Sequence, residues 1–235
     1  MGAGPPRRGA VVIVIIAIDT STSITSVAAI DVDGAVVLEL SHEDPRRHAE
    51  VIGPMLAELV ASVERADVTA IACGVGPGPY TGLRVGIASA IAMSAAWRVP
   101  VFGLCSLDAL ALAVLDQHPG EPVEVASDAR RKELYWAQYD SAGHRRAGPR
   151  VRPADEVGAD VVRGSASAVW VARGVQDLLR QGAASSGREE LPLDAHGADT
   201  GATEAALLGA TLLPARPLYL RRPDAMVPVA LSDRS

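Results

Sequence analysis

Residues 11–18, VVIVIIAI, carry no polar side chain and stop at Asp19, the pattern of a strand buried on both faces of a sheet. Two more β-rich runs follow, ITSVAAID from Ile24 and AVVLELS from Ala35, with Asp33-Gly34 between them. An Asp-Gly turn between apolar runs predicts a hairpin, so the first three strands form a meander. The period then becomes helical over 48–64 and reverts to an apolar strand over 69–75. A loop at 76–80 leads into a helix over 81–97, followed by a short strand at 101–104 and a helix over 107–115. The order β-β-β-α-β-α-β-α is that of an α/β unit. Pro119 and Gly120 mark a seam. Beyond it, strands near 122–127 and 133–140 and helices near 173–181 and 203–212 describe a second, more polar unit, interrupted by a Gly-, Ser- and charge-rich loop over 182–190. The organisation expected is a disordered extension over 1–10, an N-terminal half over 11–118, a C-terminal half over 119–222 and a flexible tail over 223–235.

The two helices of the first half carry more apolar surface than one sheet can hide. From Val85 to Trp97 there is no charge, and a helix apolar all round is buried all round. Gly82, Gly86 and Ala90 fall at i, i+4 and i+8, which lets another backbone approach closely. In the helix over 48–64, Val51, Ile52, Met55, Leu56, Leu59, Val60 and Val63 span an arc of about 180°, against the stripe of roughly 100° that packing on one surface needs. Lone soluble domains rarely leave such a patch open. Either a protein partner covers it, through Val51, Ile52, Met55, Leu56, Leu59, Leu83, Ile87, Ala90 and Ile91, or the second unit of the same chain does.

Composition narrows the class. Apolar residues make up 49% of the 235 positions but aromatics only 3%, so the core is aliphatic, as suits parallel strands under helices. Net charge is −6, and the arginines are scattered in pairs rather than gathered in a stripe, which disfavours tight, unaided nucleic-acid binding. Cys73 and Cys105 end apolar runs and fit no metal or redox spacing, so both are expected as free buried thiols in a reducing compartment. The run at 11–18 is too short to span a bilayer and lacks a cleavage site. A cytoplasmic location without membrane contact is expected.

Residues 76–86 read GPGPYTGLRVG. A strand, a Gly-rich loop and a helix opening on Thr81 bring free backbone N–H groups and a helix dipole to one point, with Arg84 one turn in. Read for function, that is a candidate, vestigial anion site. Alternatively, Gly76, Gly78 and Gly82 provide unusual backbone angles and close approach while Thr81 caps the helix, with no ligand involved. The spacing matches neither a Walker loop nor a G-x-G-x-x-G fingerprint.

HAEVIGPMLAEL, GVGPGPYTGLRVGIASA, FGLCSLDALA, SDARRKELYWAQYD and PLYLRRPDA, in that order, closely resemble the bacterial TsaB family, also called YeaZ. The resemblance runs from Ala17 to Ala225, and its most specific block lies at 76–86. It implies an α/β fold of the actin-like ATPase (ASKHA, ribonuclease H-like) kind, with two related halves, each a meander feeding alternating helices and strands. It also implies a role in making N6-threonylcarbamoyladenosine beside the anticodon of tRNAs that read codons beginning with A. In that system the family is a non-catalytic subunit paired with the homologous transferase TsaD through the first two helices, with the ATPase TsaE joining them. ATP and metal are expected on the partner subunits, tRNA only through the complex, and a homodimer when the chain is alone.

Chemistry of the chain's own is the competing possibility. The related catalytic subunit holds a metal through a His-x-x-x-His helix; here His48 is followed four residues later by Ile52, and His42 lies upstream, so no metal is expected. Asp19, Thr20 and Ser21 match the first phosphate-side turn of actin-like ATPases, while Asp199-Thr200-Gly201 is a weak candidate for the second and reads more simply as a turn and cap. The competing function is an independent ATP-dependent enzyme or a peptidase-like hydrolase. Ser106, Asp108 and His48 are triad material, but no nucleophile elbow accompanies them. Asp128 and Arg130 are expected to brace the junction between halves, the alternative being that Arg130 helps hold tRNA or TsaD.

Overall fold

The structure, a computed structural model, describes residues 13–182 and 212–220. The extension over 1–10, the strand residues 11 and 12, the loop over 183–190, the Asp199-Thr200-Gly201 turn, the helix near 203–212 but for its last residue and the tail from 223 lie outside the described residues.

Strands β1 (Val14–Asp19), β2 (Ile24–Ile30) and β3 (Val36–Glu43) form the expected meander. Helix α1 (His48–Ala61), β4 (Val68–Gly74), α2 (Tyr80–Trp97) and β5 (Val101–Leu104) complete a five-stranded sheet of order β3-β2-β1-β4-β5, in which β4 lies parallel to β1 and to β5. Helix α3 (Ser106–Gln117) leads to β6 (Val123–Asp128), β7 (Glu133–Tyr139), β8 (Arg145–Pro153), β9 (Val162–Arg163) and α4 (Ala168–Arg180). The second sheet has order β8-β7-β6-β9. The mixed α/β order read from the periodicity is therefore present, with two differences. β8 carries four arginines and two prolines and shows no apolar alternation; as an edge strand it needs a partner on one side only. α4 begins at Ala168, before the expected 173, because Ala168, Val171, Ala172, Val175 and Leu178 make one buried stripe.

The helices are shared across the two units. α1 and α2 cover one face of the first sheet, over Ile16, Ile18, Val27 and Ile71. The opposite face, with Ile15, Ala17, Ala28 and Ile30, is covered by α4 from the second half. α3, although it follows β5, packs on the second sheet against Val125, Tyr135 and Ala137. Helix α4 thus covers the first sheet from the side away from α1 and α2. Leu213 forms an antiparallel bridge to Gly103 on the β5 edge, returning the chain to the first sheet.

One ion pair fixes α3 to the second sheet. Asp108 accepts from Arg145 Nε at 2.9 Å and Nη2 at 2.5 Å, and from the Tyr139 hydroxyl at 2.6 Å. The two charged side chains are only 3% and 1% exposed. Such pairs offset their own desolvation poorly, but removing one partner strands the other charge in the interior. Arg145→Met is therefore expected to lower unfolding stability by about 3–5 kcal/mol, measured by urea denaturation. A loss under about 1 kcal/mol would put the pair in a wetter setting than its burial implies.

Candidate functional site

The ends of β1 and β4 converge with the first turns of α2 and α3, and the residues singled out in the Gly-rich stretch meet there. Asp19, 1% exposed, accepts through Oδ1 from the Ser21 N–H at 2.9 Å and hydroxyl at 2.7 Å. Its Oδ2 accepts from the Ser106 hydroxyl at 2.8 Å. Ser106 in turn exchanges bonds with the loop: the Gly76 N–H donates to its hydroxyl at 3.2 Å, and its own N–H donates to the Gly76 carbonyl at 2.7 Å. Thr20 closes the other side, donating its hydroxyl to the Gly82 carbonyl at 2.7 Å and accepting from the Gly86 N–H at 3.2 Å.

The glycines are required by this approach of backbone to backbone. A Cβ on Gly78 would stand 2.2 Å from the Ser21 carbonyl oxygen, one on Gly82 2.6 Å from the Thr20 carbonyl oxygen, and one on Gly86 2.3 Å from Thr20 Oγ1. The space beside these glycines is filled by Thr20 and Ser21 themselves. Asp19, Thr20, Ser21, Gly76, Gly78 and Gly82 are thus brought together but bound to one another. Thr81 and Arg84 are exposed instead. Arg84 turns outward over the Tyr80 ring, 3.8 Å from its centroid, and donates to the Tyr219 hydroxyl at 3.1 Å; the Tyr80 hydroxyl accepts from it as well. Tyr80 and Tyr219 stack with ring centroids 4.3 Å apart, which ties the segment at 212–220 to the first turn of α2. Sequence reasoning missed this clasp, although PLYLRRPDA had been singled out.

Burial without a cationic partner pushes the Asp19 carboxyl above its ordinary value, and the three hydrogen bonds only partly oppose this. The Cys73 and Cys105 thiols are likewise pushed up to about 12 by burial, and both are free. As thiols they are poor nucleophiles.

His48 opens α1, 6% exposed, with Nδ1 at 2.7 Å from the Thr25 hydroxyl. Burial lowers its pKa below 6.5, so the folded chain holds it neutral. The unfolded chain takes up the proton first as pH falls, so stability is expected to decline below pH 6.5 and not above it. His48→Gln should flatten that decline in thermal melts between pH 7 and pH 5; an unchanged slope would place its origin elsewhere. Ser106, Asp108 and His48 serve three separate networks, with Asp19, Arg145 and Thr25 respectively. They do not form a relay. Among the described residues no three of His, Cys, Asp and Glu converge as a metal site, and no helix is long and apolar enough to cross a membrane.

The outer surface of α1 and α2 divides the nine docking positions. Ile52, Leu59, Leu83, Ile87 and Ala90 are buried in the chain's own core, so in this conformation they cannot face a partner. The helical wheel counted them because it does not say which half of an apolar arc meets the sheet. Val51, Met55 and Leu56 are half-buried, and Ile91 is 45% exposed. Beside Ile91 lie Ala88, Ala92 and Ala95, all exposed and not foreseen. A charge-free surface remains on α2. Separately, β3 and α1 enclose a groove of about 360 Å³ reached by His42, Arg47, Glu50 and Met55.

Asp128 and Arg130 do not brace the two halves. Both are exposed, and the Asp128 carboxylate accepts from the Arg130 N–H at 2.8 Å, capping the turn between β6 and β7. Arg130, Arg131 and Lys132 there have φ of 61, 55 and 61°, a left-handed run that strains non-glycine residues by about 1–2 kcal/mol each.

Comparison with known proteins gives a consistent set of likenesses. A family model described as TsaD, tRNA N6-adenosine threonylcarbamoyltransferase, matches residues 37–174. An uncharacterized protein of Mycobacterium tuberculosis is 40% identical over 214 residues, 90% of this chain and 93% of its own. The tRNA threonylcarbamoyladenosine biosynthesis protein TsaB of Escherichia coli is 36% identical over 129 residues, 53% of this chain and 54% of its own. Among solved structures, YeaZ from Pseudomonas aeruginosa superposes with a TM-score of 0.60 at 28% identity, covering 72% of this chain and 94% of that one.

Proposed function

Because the chain belongs to the TsaB (YeaZ) family, within the reach of the TsaD-type family model, we propose that it is the non-catalytic dimerisation and activating subunit of a tRNA threonylcarbamoyltransferase assembly. In this reading it pairs with a TsaD homologue through α1 and α2, a TsaE homologue joins the pair, and nucleotide and metal reside on those partners. The complex modifies N6 of the adenosine next to the anticodon in tRNAs that read codons beginning with A. The observation that carries the docking claim is the outer side of α2, where Ala88, Ile91, Ala92 and Ala95 are exposed with no charge from Val85 to Trp97. Among the described residues of the second half, α4 packs on the other face of the sheet and the segment at 212–220 meets α2 at its first turn, away from these four positions.

The mutual engagement of Thr20 and Ser21 with Gly78, Gly82 and Gly86 supports a fold that keeps its ancestral loops for packing rather than for phosphate. The separate partners of Ser106, Asp108 and His48 weigh against the hydrolase alternative. Alone, the same patch is expected to pair two copies symmetrically at high concentration. Light scattering on the chain mixed with a TsaD homologue tests the reading: a one-to-one complex is expected, and two species that retain their separate masses at tens of micromolar would overturn it.

A further inference from the structure

Arg84 belongs to the Gly-rich stretch but not to the network beneath it. On an α-helix, Thr81, Arg84, Ala88, Ile91, Ala92 and Ala95 fall within an arc of about 100°, and all six are exposed. Gly82, Leu83, Gly86, Ile87 and Ala90 take the other side and are buried. Arg84 therefore stands at the head of the charge-free stripe of α2, on the same side as Ile91. A segment much later in the chain holds it there. The Leu218 N–H donates to the Val75 carbonyl at 2.7 Å and Leu213 bridges to Gly103, which delivers Tyr219 to the first turn of α2. Tyr219 stacks on Tyr80 and accepts from Arg84 Nε, and the Tyr80 hydroxyl accepts from Nη2. Both acceptors are uncharged hydroxyls, whereas a guanidinium has five N–H donors. The edge formed by Nη1 and the second hydrogen of Nη2 meets no acceptor among the described residues. Such an edge takes a carboxylate through two parallel bonds. Fixing the guanidinium beforehand also removes side-chain freedom that binding would otherwise cost.

We propose that Arg84 is the charged anchor of the docking face, and that the TsaD homologue presents a carboxylate to it at the end of an apolar strip. The proposal rests on the reading of α2 as a docking helix. Protein interfaces are depleted of charge at their centres and enriched in arginine and aromatic residues. The same distribution is found here, with no charge from Val85 to Trp97 and Arg84, Tyr80 and Tyr219 grouped at the head of the stripe. One guanidinium backed by two rings suits one carboxylate. A polyanion needs several cations in a row, and α2 has none between Arg84 and Arg98. An apolar stripe alone admits several registers of a partner, and a fixed charge at its head selects one of them.

The test is isothermal titration of the full chain with its TsaD homologue. Arg84→Gln is expected to weaken the complex by at least about thirtyfold, the effect of truncating one member of a desolvated charge pair. Arg84→Lys keeps the charge but not the paired donors and is expected to fall between Arg84→Gln and the parent. Thr81→Glu leaves the clasp with Tyr80 and Tyr219 untouched. Its carboxylate, three residues before Arg84 on the same face, pairs with the guanidinium within the helix and shuts out the partner's. Binding is expected to fall by at least about tenfold with no loss of melting temperature, because the first turn of α2 has no acidic residue and accommodates one well. This variant keeps the proposal testable if Arg84→Gln loosens the segment at 212–220. Binding within about threefold of the parent by either Arg84→Gln or Thr81→Glu overturns the proposal and leaves docking through α2 standing. Arg84→Lys binding as weakly as Arg84→Gln overturns it too, since the partner would then not be reading charge. No complex with the parent overturns the docking reading, and this inference with it.

Discussion

Replacing Ile91 with aspartate should weaken binding to a TsaD homologue by at least about a hundredfold while leaving the fold intact. Ile91 is the large apolar side chain on α2 that the chain leaves most open, 45% exposed, so aspartate there meets water in the free subunit and adds little strain. In a complex built on this face the carboxylate would be desolvated among Ala88, Ala92 and Ala95 without a cation, since α2 offers none between Arg84 and Arg98. Burying a lone charge is far more costly than losing an isoleucine contact. Ile87→Asp would be a misleading version of the same experiment. Ile87 is 4% exposed and packs in the core, so its loss of binding would report unfolding. Isothermal titration with circular dichroism on the free variant separates the two effects, and full affinity in the Ile91 variant would remove α2 from the interface.

Gly74→Ala is expected to leave little folded protein. A Cβ at this position would stand 1.7 Å from Asp19 Oδ2, 2.7 Å from Asp19 Cγ and 2.8 Å from the Ser106 hydroxyl. None of these is the free end of a flexible side chain, because Asp19 is held by Ser21 and Ser106 and is 1% exposed. The network must break or β4 must move away from β1, and either leaves a buried carboxylate without its donors. Losses above about 4 kcal/mol come from such overpacking combined with unsatisfied burial. By contrast, Asp19→Asn should be tolerated at neutral pH. Burial raises the Asp19 pKa above its ordinary 3.8, so the folded chain binds the proton more tightly than the unfolded one, and ionisation removes stability as pH rises through that window. Expression yield and thermal melting of the two variants check both statements, and a Gly74→Ala melt within a few degrees of the parent would contradict the packing account.

The first sheet was legible because its strands are unbroken apolar runs that end at turn chemistry, as at Asp19 and at Asp33-Gly34. The spacing of Gly82 and Gly86 was also correctly read as a place of close approach. What approaches is Thr20, from a loop some sixty residues earlier, and no local pattern could name it. Periodicity likewise could not divide the nine docking positions, because Ile87 and Ile91 look alike in a sequence and differ only in which side of α2 the sheet occupies. β8 was missed since arginine, glycine and proline conceal an edge strand. With it went Arg145, whose bond to Asp108 depends on β8 lying beside β7. The exchange of α3 and α4 between the sheets is a tertiary choice, made where two amphipathic helices each find the better matched face.

Hydrogen–deuterium exchange on the full chain, with and without a TsaD homologue, tests most directly whether this subunit works by lending its α1 and α2 surface. Added protection is predicted across α1 and α2, strongest over Ala88–Ala95, with the segments of β6 to β9 unchanged. Protection confined to the second sheet, or none at saturating partner, would contradict the account.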